Sequence, residues 1–282
     1  MYKILKKETL SDVIKLMEVQ APHVARKATA GQFIIVRIDE QGERIPLTIA
    51  DYNREAGTIT IIFQELGKST MQLGRMEPGE ALSTFVGPLG HPTEIENYGS
   101  VVCMGGGVGI APIYPIARSL REAGNTVISI IGARNKDLLF WRDELSSVSD
   151  QLIVMTDDGT FGRKGLVTEP LKDLLSTEKI DRVIAIGPSI MMKFSSLTSK
   201  PFGVKTIVSM NPIMVDGTGM CGCCRLSVNG QTKFACVDGP DFDGHQVDWD
   251  LLMARQRTYL DEEKISFDQW LRTHTAQTKA VK

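Results

Sequence analysis

Up to about residue 98 the chain is a series of short runs in which apolar and polar positions alternate. The clearest are "QFIIVRI" (32–38) and "GTITIIF" (57–63), set off by turn signals such as "NREAG" (53–57). Their length and spacing predict antiparallel strands closing into a β-barrel over residues 1–98, with no room for a long helix. Over residues 99–209 an apolar strand, a glycine turn and an amphipathic helix follow one another four times. The strands are "VVCM" (101–104), "VISIIGA" (127–133), "LIVMT" (152–156) and "RVIAIG" (182–187). Their helices are "APIYPIARSLREAG" (111–124), "KDLLFWRDELSS" (136–147), "GLVTEPLKDLLS" (165–176) and "SIMMKFSSL" (189–197). That alternation predicts a parallel sheet with crossover helices, so the fold class is β-barrel plus α/β.

Residues 210–248 lack regular periodicity and are rich in Gly, Asp and Cys, as expected of a small subdomain held by something other than a hydrophobic core. Residues 249–282 return to a helical pattern through Leu251, Leu252, Tyr259, Leu260, Phe267, Trp270 and Leu271, with a polar end expected to fray. The face carrying Leu252, Tyr259, Phe267 and Trp270 suits either docking to a partner or packing on its own domain.

Composition narrows the function classes. A chain of 282 residues suits two domains and an appendage, and 42% hydrophobic with 23% charged residues is globular. A net charge of −2 and a pI near 6.1 supply no field for nucleic acid or anionic lipid, so neither is expected as a partner. There is no signal-peptide h-region and no apolar run long enough to span a membrane, so a cytoplasmic location is expected. Four of the five cysteines fall within residues 221–236, which reads as a metal site in a reducing compartment rather than a disulfide framework.

With Asp216 counted as a ligand, the spacing is Asp216-x4-Cys221-x2-Cys224-x11-Cys236, and four-then-two is the plant-type [2Fe-2S] loop. Gly217, Gly219 and Gly222 would let the backbone wrap the inorganic core. Asp216 then replaces a thiolate, and its weaker donation is expected to raise the cluster potential. Two other readings remain open. Cys221, Cys224 and Cys236 with Cys223 or His245 could hold zinc, which would make the chain a zinc- and nucleotide-binding regulatory module. Alternatively, Cys223 could be the fourth cluster ligand. Cys103 lies in an apolar strand and is expected to be inert.

"CMGGGVGIAP" (103–112) follows a strand and opens a helix, so Gly105, Gly106, Gly107, Val108 and Gly109 can admit a nucleotide's phosphates or nicotinamide to the backbone. Three further strand ends carry "GARN" (132–135), "TDDGTFGRKG" (156–165) and "GPSIMM" (187–192). Arg134 stands where an acidic ribose contact is usual, leaving NADH and NADPH both open. In the barrel half, "RIPLTI" (44–49) sets Arg44, Pro46, Leu47, Thr48 and Ile49 on what reads as an edge strand. "GKST" (67–70) sets Gly67, Lys68, Ser69 and Thr70 before a helix, with Ser69 and Thr70 as candidate caps and phosphate ligands.

This order of motifs resembles the ferredoxin-NADP reductase superfamily. More narrowly, it resembles the electron-transfer subunit of dihydroorotate dehydrogenase and, with the cluster loop beginning at aspartate, the small subunit of electron-bifurcating NADH-dependent ferredoxin-NADP oxidoreductases. The resemblance spans residues 1 to about 255. It implies FAD on the barrel at Arg44–Thr48 and Gly67–Thr70, and NAD(H) or NADP(H) at Gly105–Gly109, Asp157, Asp158, Gly187 and Pro188. It also implies one [2Fe-2S] cluster, a larger flavin and iron-sulfur subunit as partner, and ferredoxin reached through that complex. Two positions depart from the superfamily pattern: Leu47 replaces a flavin-stacking aromatic, and Ile186 a cysteine near the nicotinamide. The implied electron order is nucleotide, FAD, cluster, acceptor, with no catalytic acid–base residue required.

Overall fold

The computed structural model describes residues 1–280, with side chains through Thr273. The N-terminal part forms β1 (Tyr2–Ser11), β2 (Ile14–Gln20), α1 (Pro22–Ala25), β3 (Phe33–Arg37), β4 (Ile45–Asn53), β5 (Thr58–Gln64), α2 (Lys68–Arg75), β6 (Ala81–Leu82) and β7 (Thr84–Leu89). These strands make one antiparallel sheet in the order β6-β1-β2-β5-β4-β3-β7. Because β6 pairs with β1 and β7 pairs with β3, the continuous segment 81–89 touches both edges and nearly closes the barrel. Alternation on β5 sends Ile59, Ile61 and Phe63 inward to meet Ile34, Val36, Leu73 and Phe85, while Ile62 points to the neighbouring domain. Both faces of β3 are buried, Ile34 and Val36 in the barrel and Phe33 and Ile35 against the other layers, which accounts for its unbroken apolar run.

The second layer contains β8 (Ser100–Gly106), α3 (Ile110–Glu122), β9 (Thr126–Ala133), α4 (Arg142–Ser147), β10 (Gln151–Thr156), β11 (Arg163–Lys164), α5 (Thr168–Thr177), β12 (Arg182–Ile186), α6 (Ser189–Ser199) and β13 (Thr206–Ser209). The remaining elements are β14 (Arg225–Val228), β15 (Gln231–Phe234), α7 (Ala235–Asp238), β16 (Asp241–Asp243), α8 (Trp249–Gln256) and α9 (Leu260–Ala280). The sheet order is β11-β10-β9-β8-β12-β13-β16, parallel except for β16, and the chain reverses direction of winding between β8 and β12. Ligands of such sheets bind at the strand C-termini around that switch point. No helix among the described residues is long and apolar enough to cross a membrane.

Two expectations change, and one left open is settled for Leu252 and Trp270. The segment 136–147 is not one helix: Lys136–Leu138 forms a short 3-10 turn, Trp141 adopts left-handed backbone (φ 51°), and only Arg142–Ser147 is α-helical. The break lets Trp141 meet the edge of Tyr114 on α3, with ring centroids 5.2 Å apart. Residues 210–248 are held by a hydrophobic core after all. Met214, Cys224, Leu226, Val228, Ala235 and Cys236 are buried in the same cluster as Val102 and Ile128, and β16 joins the nucleotide sheet. The tail forms two helices that pack on the chain itself. Leu252 and Trp270 are buried, and the Arg75 guanidinium lies 4.3 Å from the Trp270 ring centre. Tyr259 stays exposed. Helix α9 continues to Ala280, and the expected fraying falls in part on residues 281–282, outside the described residues.

Candidate functional site

Strand β4 pairs with β5 only from Ile49 onward, through Ile49↔Ile61, whereas Ile45, Pro46, Leu47 and Thr48 pair with β3 alone. The two strands splay apart ahead of Ile49. Residues 45–48 thus read as an edge from sequence although β4 lies inside the sheet, and Pro46, which lacks an N–H, costs no ladder bond on the open side. The splay opens a cleft of about 460 Å³, bounded by Pro46–Thr48, Ile62–Gln64, Leu66 and Thr70 on the barrel side and by Gly106–Gly109, Gly187 and Pro188 across it. Ser209–Pro212, Met214 and Pro240 form the floor. No charged side chain among the described residues lines this cleft. Its apolar walls with a few polar groups suit flat aromatic rings, and an anionic tail would need donors outside it.

Such donors lie at α2. Gly67, not Ser69, is its N-cap, and Thr70 at the third helical position accepts from the Leu66 and Gly67 amides through Oγ1 (3.0 and 3.1 Å). The Ser69 hydroxyl instead donates to the Glu43 carboxylate. The remaining first-turn amides face a helix N-terminus favourable to anions. Across the cleft, Gly109 carries the tightest approach to backbone: a Cβ there would sit 2.3 Å from the Ile186 carbonyl oxygen. Only glycine lets the β8 turn and the end of β12 meet, which sets the two nucleotide segments side by side.

Several expected residues stand elsewhere. Ile49 is in the barrel core and Gly105 is buried beneath the turn. Arg134, Asp157 and Asp158 lie at the ends of β9 and β10, beyond the cleft, tied together by Asp157 N–H to Ala133 C=O (3.1 Å) and Asp158 N–H to Arg134 C=O (3.2 Å). Hydrogen bonds from Thr160 hold the Asp158 carboxyl below its usual range. Arg44 is turned away from the cleft onto the cluster loop. Conversely, sequence reasoning passed over Leu66, 72% exposed on the rim, and the stretch 209–212 on the floor. The "NP" pair after a strand end was the available signal there.

In the cysteine loop, Gly217, Gly219 and Gly222 have φ of 83°, 89° and 65°, as the wrapping role requires. Cys224 and Cys236 are buried with their Sγ atoms 3.2 Å apart and form no disulfide. Two thiolates on one tetrahedral metal with bonds of about 2.3 Å lie about 3.8 Å apart, so this pair is close to the spacing of shared ligation. Burial pushes the Cys236 thiol up to about 12, a cost that a metal would relieve. Cys221 is exposed, and the Cys223 and Asp216 amides hold its thiol below the usual range, whereas its hydrogen bond with Cys221 pushes Cys223 up. Asp216 accepts from the Thr218 hydroxyl and from the Thr218 amide (2.9 Å), which keeps it ionised. His245 is not near this loop's thiols in the bonding pattern: its Nε2 lies 3.0 Å from Ser199 Oγ and its Nδ1 3.7 Å from Asp243 Oδ1. Among the described residues no three metal-binding side chains converge on one point, so the fit rests on the Cys224–Cys236 pair and the donor set of the loop. Cys103 is fully buried, as expected of an inert thiol.

Asp241, next to the cleft's Pro240, accepts from Thr93 Oγ1 (2.6 Å), while its Oδ1 is buried without a hydrogen bond. Burial pushes its carboxyl up to about 6. A carboxyl held above its unfolded value favours folding below about pH 4 and withdraws that support as pH rises through about 6. Asp241→Asn is therefore expected to gain stability over the parent progressively from pH 4 and to level off above pH 7, by about 2–3 kcal/mol. Thermal unfolding against pH measures this; a pH-independent difference would contradict it.

Residues 211–248 match the iron-sulfur cluster binding domain of dihydroorotate dehydrogenase B, and residues 103–196 match an oxidoreductase NAD-binding domain. With the barrel, these define a ferredoxin-reductase-like oxidoreductase. The chain is 49% identical over 271 residues to the dihydroorotate dehydrogenase B (NAD(+)) electron transfer subunit homolog of Thermotoga maritima, covering 96% of each. It is 34% identical over 242 residues to the corresponding electron transfer subunit of Desulforamulus reducens, covering 83% of this chain and 92% of that one. A chain of the solved NADH-dependent reduced ferredoxin-NADP oxidoreductase, described for flavin-based electron bifurcation, superposes with a TM-score of 0.91 at 48% identity, over 96% of this chain and 98% of that one. The chain belongs to the family of dihydroorotate dehydrogenase B electron-transfer subunits and their homologues.

Proposed function

We propose that this chain is the NAD(H)-linked electron-entry subunit of an NADH-dependent ferredoxin-NADP oxidoreductase, passing electrons through FAD and a [2Fe-2S] cluster to a larger flavin and iron-sulfur subunit and, through it, to ferredoxin. The observation that carries this reading is the splay of β4 from β5, which opens an uncharged cleft directly opposite the strand-end glycines of the nucleotide domain. When bound, FAD takes electrons in pairs from the nucleotide and releases them singly to the iron-sulfur centre.

The chain's own residues do the placing. Pro46, Leu47 and Thr48 wall the cleft where a flavin ring would lie, with Leu47 giving an apolar contact in place of a stacking aromatic. Gly67, Lys68, Ser69 and Thr70 offer first-turn amides and a cation to its pyrophosphate, the Ser69 hydroxyl being engaged by Glu43 and that of Thr70 by the Gly67 carbonyl. Gly106–Gly109, Gly187 and Pro188 bring a nicotinamide against the same cleft, with Gly105 buried beneath them, and Arg134, Asp157 and Asp158 face the distal half of the nucleotide. Asp216, Cys221, Cys224 and Cys236 hold the cluster. Cysteines used for an iron-sulfur centre rather than for disulfides fit a reducing, cytoplasmic setting.

Anaerobic purification with co-purifying partners tests this: this subunit separated from its partner is expected to hold FAD, iron and sulfide at about 1:2:2, and the intact complex to hold more of each, from a larger flavin and iron-sulfur subunit. A colourless preparation with neither flavin nor iron would contradict it. The relatives' names favour a second partner, dihydroorotate dehydrogenase. NAD reduction driven by dihydroorotate in the purified complex would assign that partner instead.

A further inference from the structure

Within this reading, Arg44 belongs to the cluster rather than to the flavin's phosphates. Its Nε donates to the Val215 carbonyl (3.1 Å) and its Nη2 to the Asp216 carbonyl (3.2 Å), so one guanidinium grips the two peptides that flank the Asp216 Cα. The Asp216 carboxylate is not used in this grip. It accepts from Thr218, with lone pairs left over for a metal.

A second contact holds the same segment from the apolar side. Gly217 has φ +83°, and a Cβ there would lie 2.7 Å from Ile35 Cγ1 and 3.0 Å from Leu89 Cδ1, so its backbone rests directly on β3 and β7 of the barrel. Cys224 and Cys236 are buried with Leu226 and Ala235 in the same apolar cluster as Ile35, against which Leu89 also packs. The backbone of the oxygen ligand and the buried thiols are therefore seated on one packed core, and Arg44 adds the polar hold on the oxygen side. Arg44 immediately precedes β4, whose next residues wall the flavin cleft, and Glu43 beside it accepts from Ser69 on α2.

We propose that Arg44 is a positioning residue for Asp216, fixing the oxygen ligand of the cluster to the barrel strand that walls the flavin cleft and placing a permanent positive charge beside the iron. A nearby cation stabilises the reduced, more negative form of a cluster. Removing it moves the potential down. A residue that merely tethered a surface loop would leave the potential unmoved.

The test uses the holoprotein carrying Arg44→Gln or Arg44→Lys, read by FAD and iron content, redox titration and the EPR spectrum of the reduced cluster. Arg44→Gln is expected to keep FAD and iron at parental levels, to shift the cluster midpoint to more negative potential and to change the EPR line shape. Arg44→Lys keeps the charge but not the fork, so it is expected to restore the midpoint and leave the line shape altered. Gly217→Ala, which displaces the same segment without touching Arg44, is expected to alter the line shape too. An Arg44→Gln protein with unchanged midpoint and line shape overturns the proposal, as does selective loss of FAD with the cluster intact. If Arg44→Gln yields no holoprotein, an unchanged line shape in Arg44→Lys overturns it. A parent protein without iron would instead defeat the proposed function itself, so the two failures are distinct.

Discussion

Asp216→Cys is expected to lower the midpoint potential of the [2Fe-2S] cluster by on the order of 100 mV while leaving iron and FAD content intact. A thiolate gives more electron density to iron than a carboxylate, and exchanging ligand type in Rieske centres moves potentials by several hundred millivolts. The site can take the change. Asp216 lies at the exposed end of the loop, its carboxylate bonded only locally to Thr218 and its main chain held by Arg44, so a shorter side chain meets no packed neighbour. Cys223→Ser provides the control. Cys223 is the poorer thiolate of the hydrogen-bonded Cys221–Cys223 pair, and its loss is expected to leave iron content unchanged. An unchanged midpoint in Asp216→Cys, with iron lost from Cys223→Ser, would move the fourth ligand to Cys223.

Gly109→Ala is expected to weaken NADH binding by about 10- to 100-fold without loss of FAD or iron. The added methyl would stand 2.3 Å from the Ile186 oxygen and 2.8 Å from Gly187 Cα, both backbone atoms that cannot rotate aside. The end of β12 must retreat from the β8 turn, and overpacking of this kind costs about 1–3 kcal/mol. If that strain is relieved by opening the turn, it appears as lost affinity, since about 1.4 kcal/mol is tenfold. The dependence of flavin-reduction rate on NADH concentration measures it; an unchanged apparent Kd would mean that the nucleotide does not use this turn.

What could be read from residue order, and what could not, follows from the range of the interactions. The alternation on β5 reports Ile59, Ile61 and Phe63 as inward, because a strand's period is local. The run Gly105–Gly109 between a strand and a helix marks the switch point for the same reason. The splay of β4 from β5 is different: nothing in "RIPLTI" says that pairing with β5 begins at Ile49, since register is settled between strands. Arg44 could be recognised as a fork for an anion, but its partners lie 171 and 172 residues away. The core of residues 210–248 was hidden because its apolar residues are scattered around turns and gain their neighbours from the nucleotide sheet. Trp141 broke an otherwise helical pattern because its ring meets Tyr114, a contact no local propensity encodes.

The central claim is that electrons entering from the nucleotide leave through the iron held by the Asp216–Cys236 loop. An anaerobic titration of the purified holoprotein with NADH, followed by flavin absorbance and by EPR, tests it most directly. The account predicts that bleaching of the flavin band is accompanied by a reduced-cluster signal that disappears in a Cys236→Ser protein still able to bleach its flavin. Bleaching with no iron signal in the parent protein, at any NADH concentration, would contradict it.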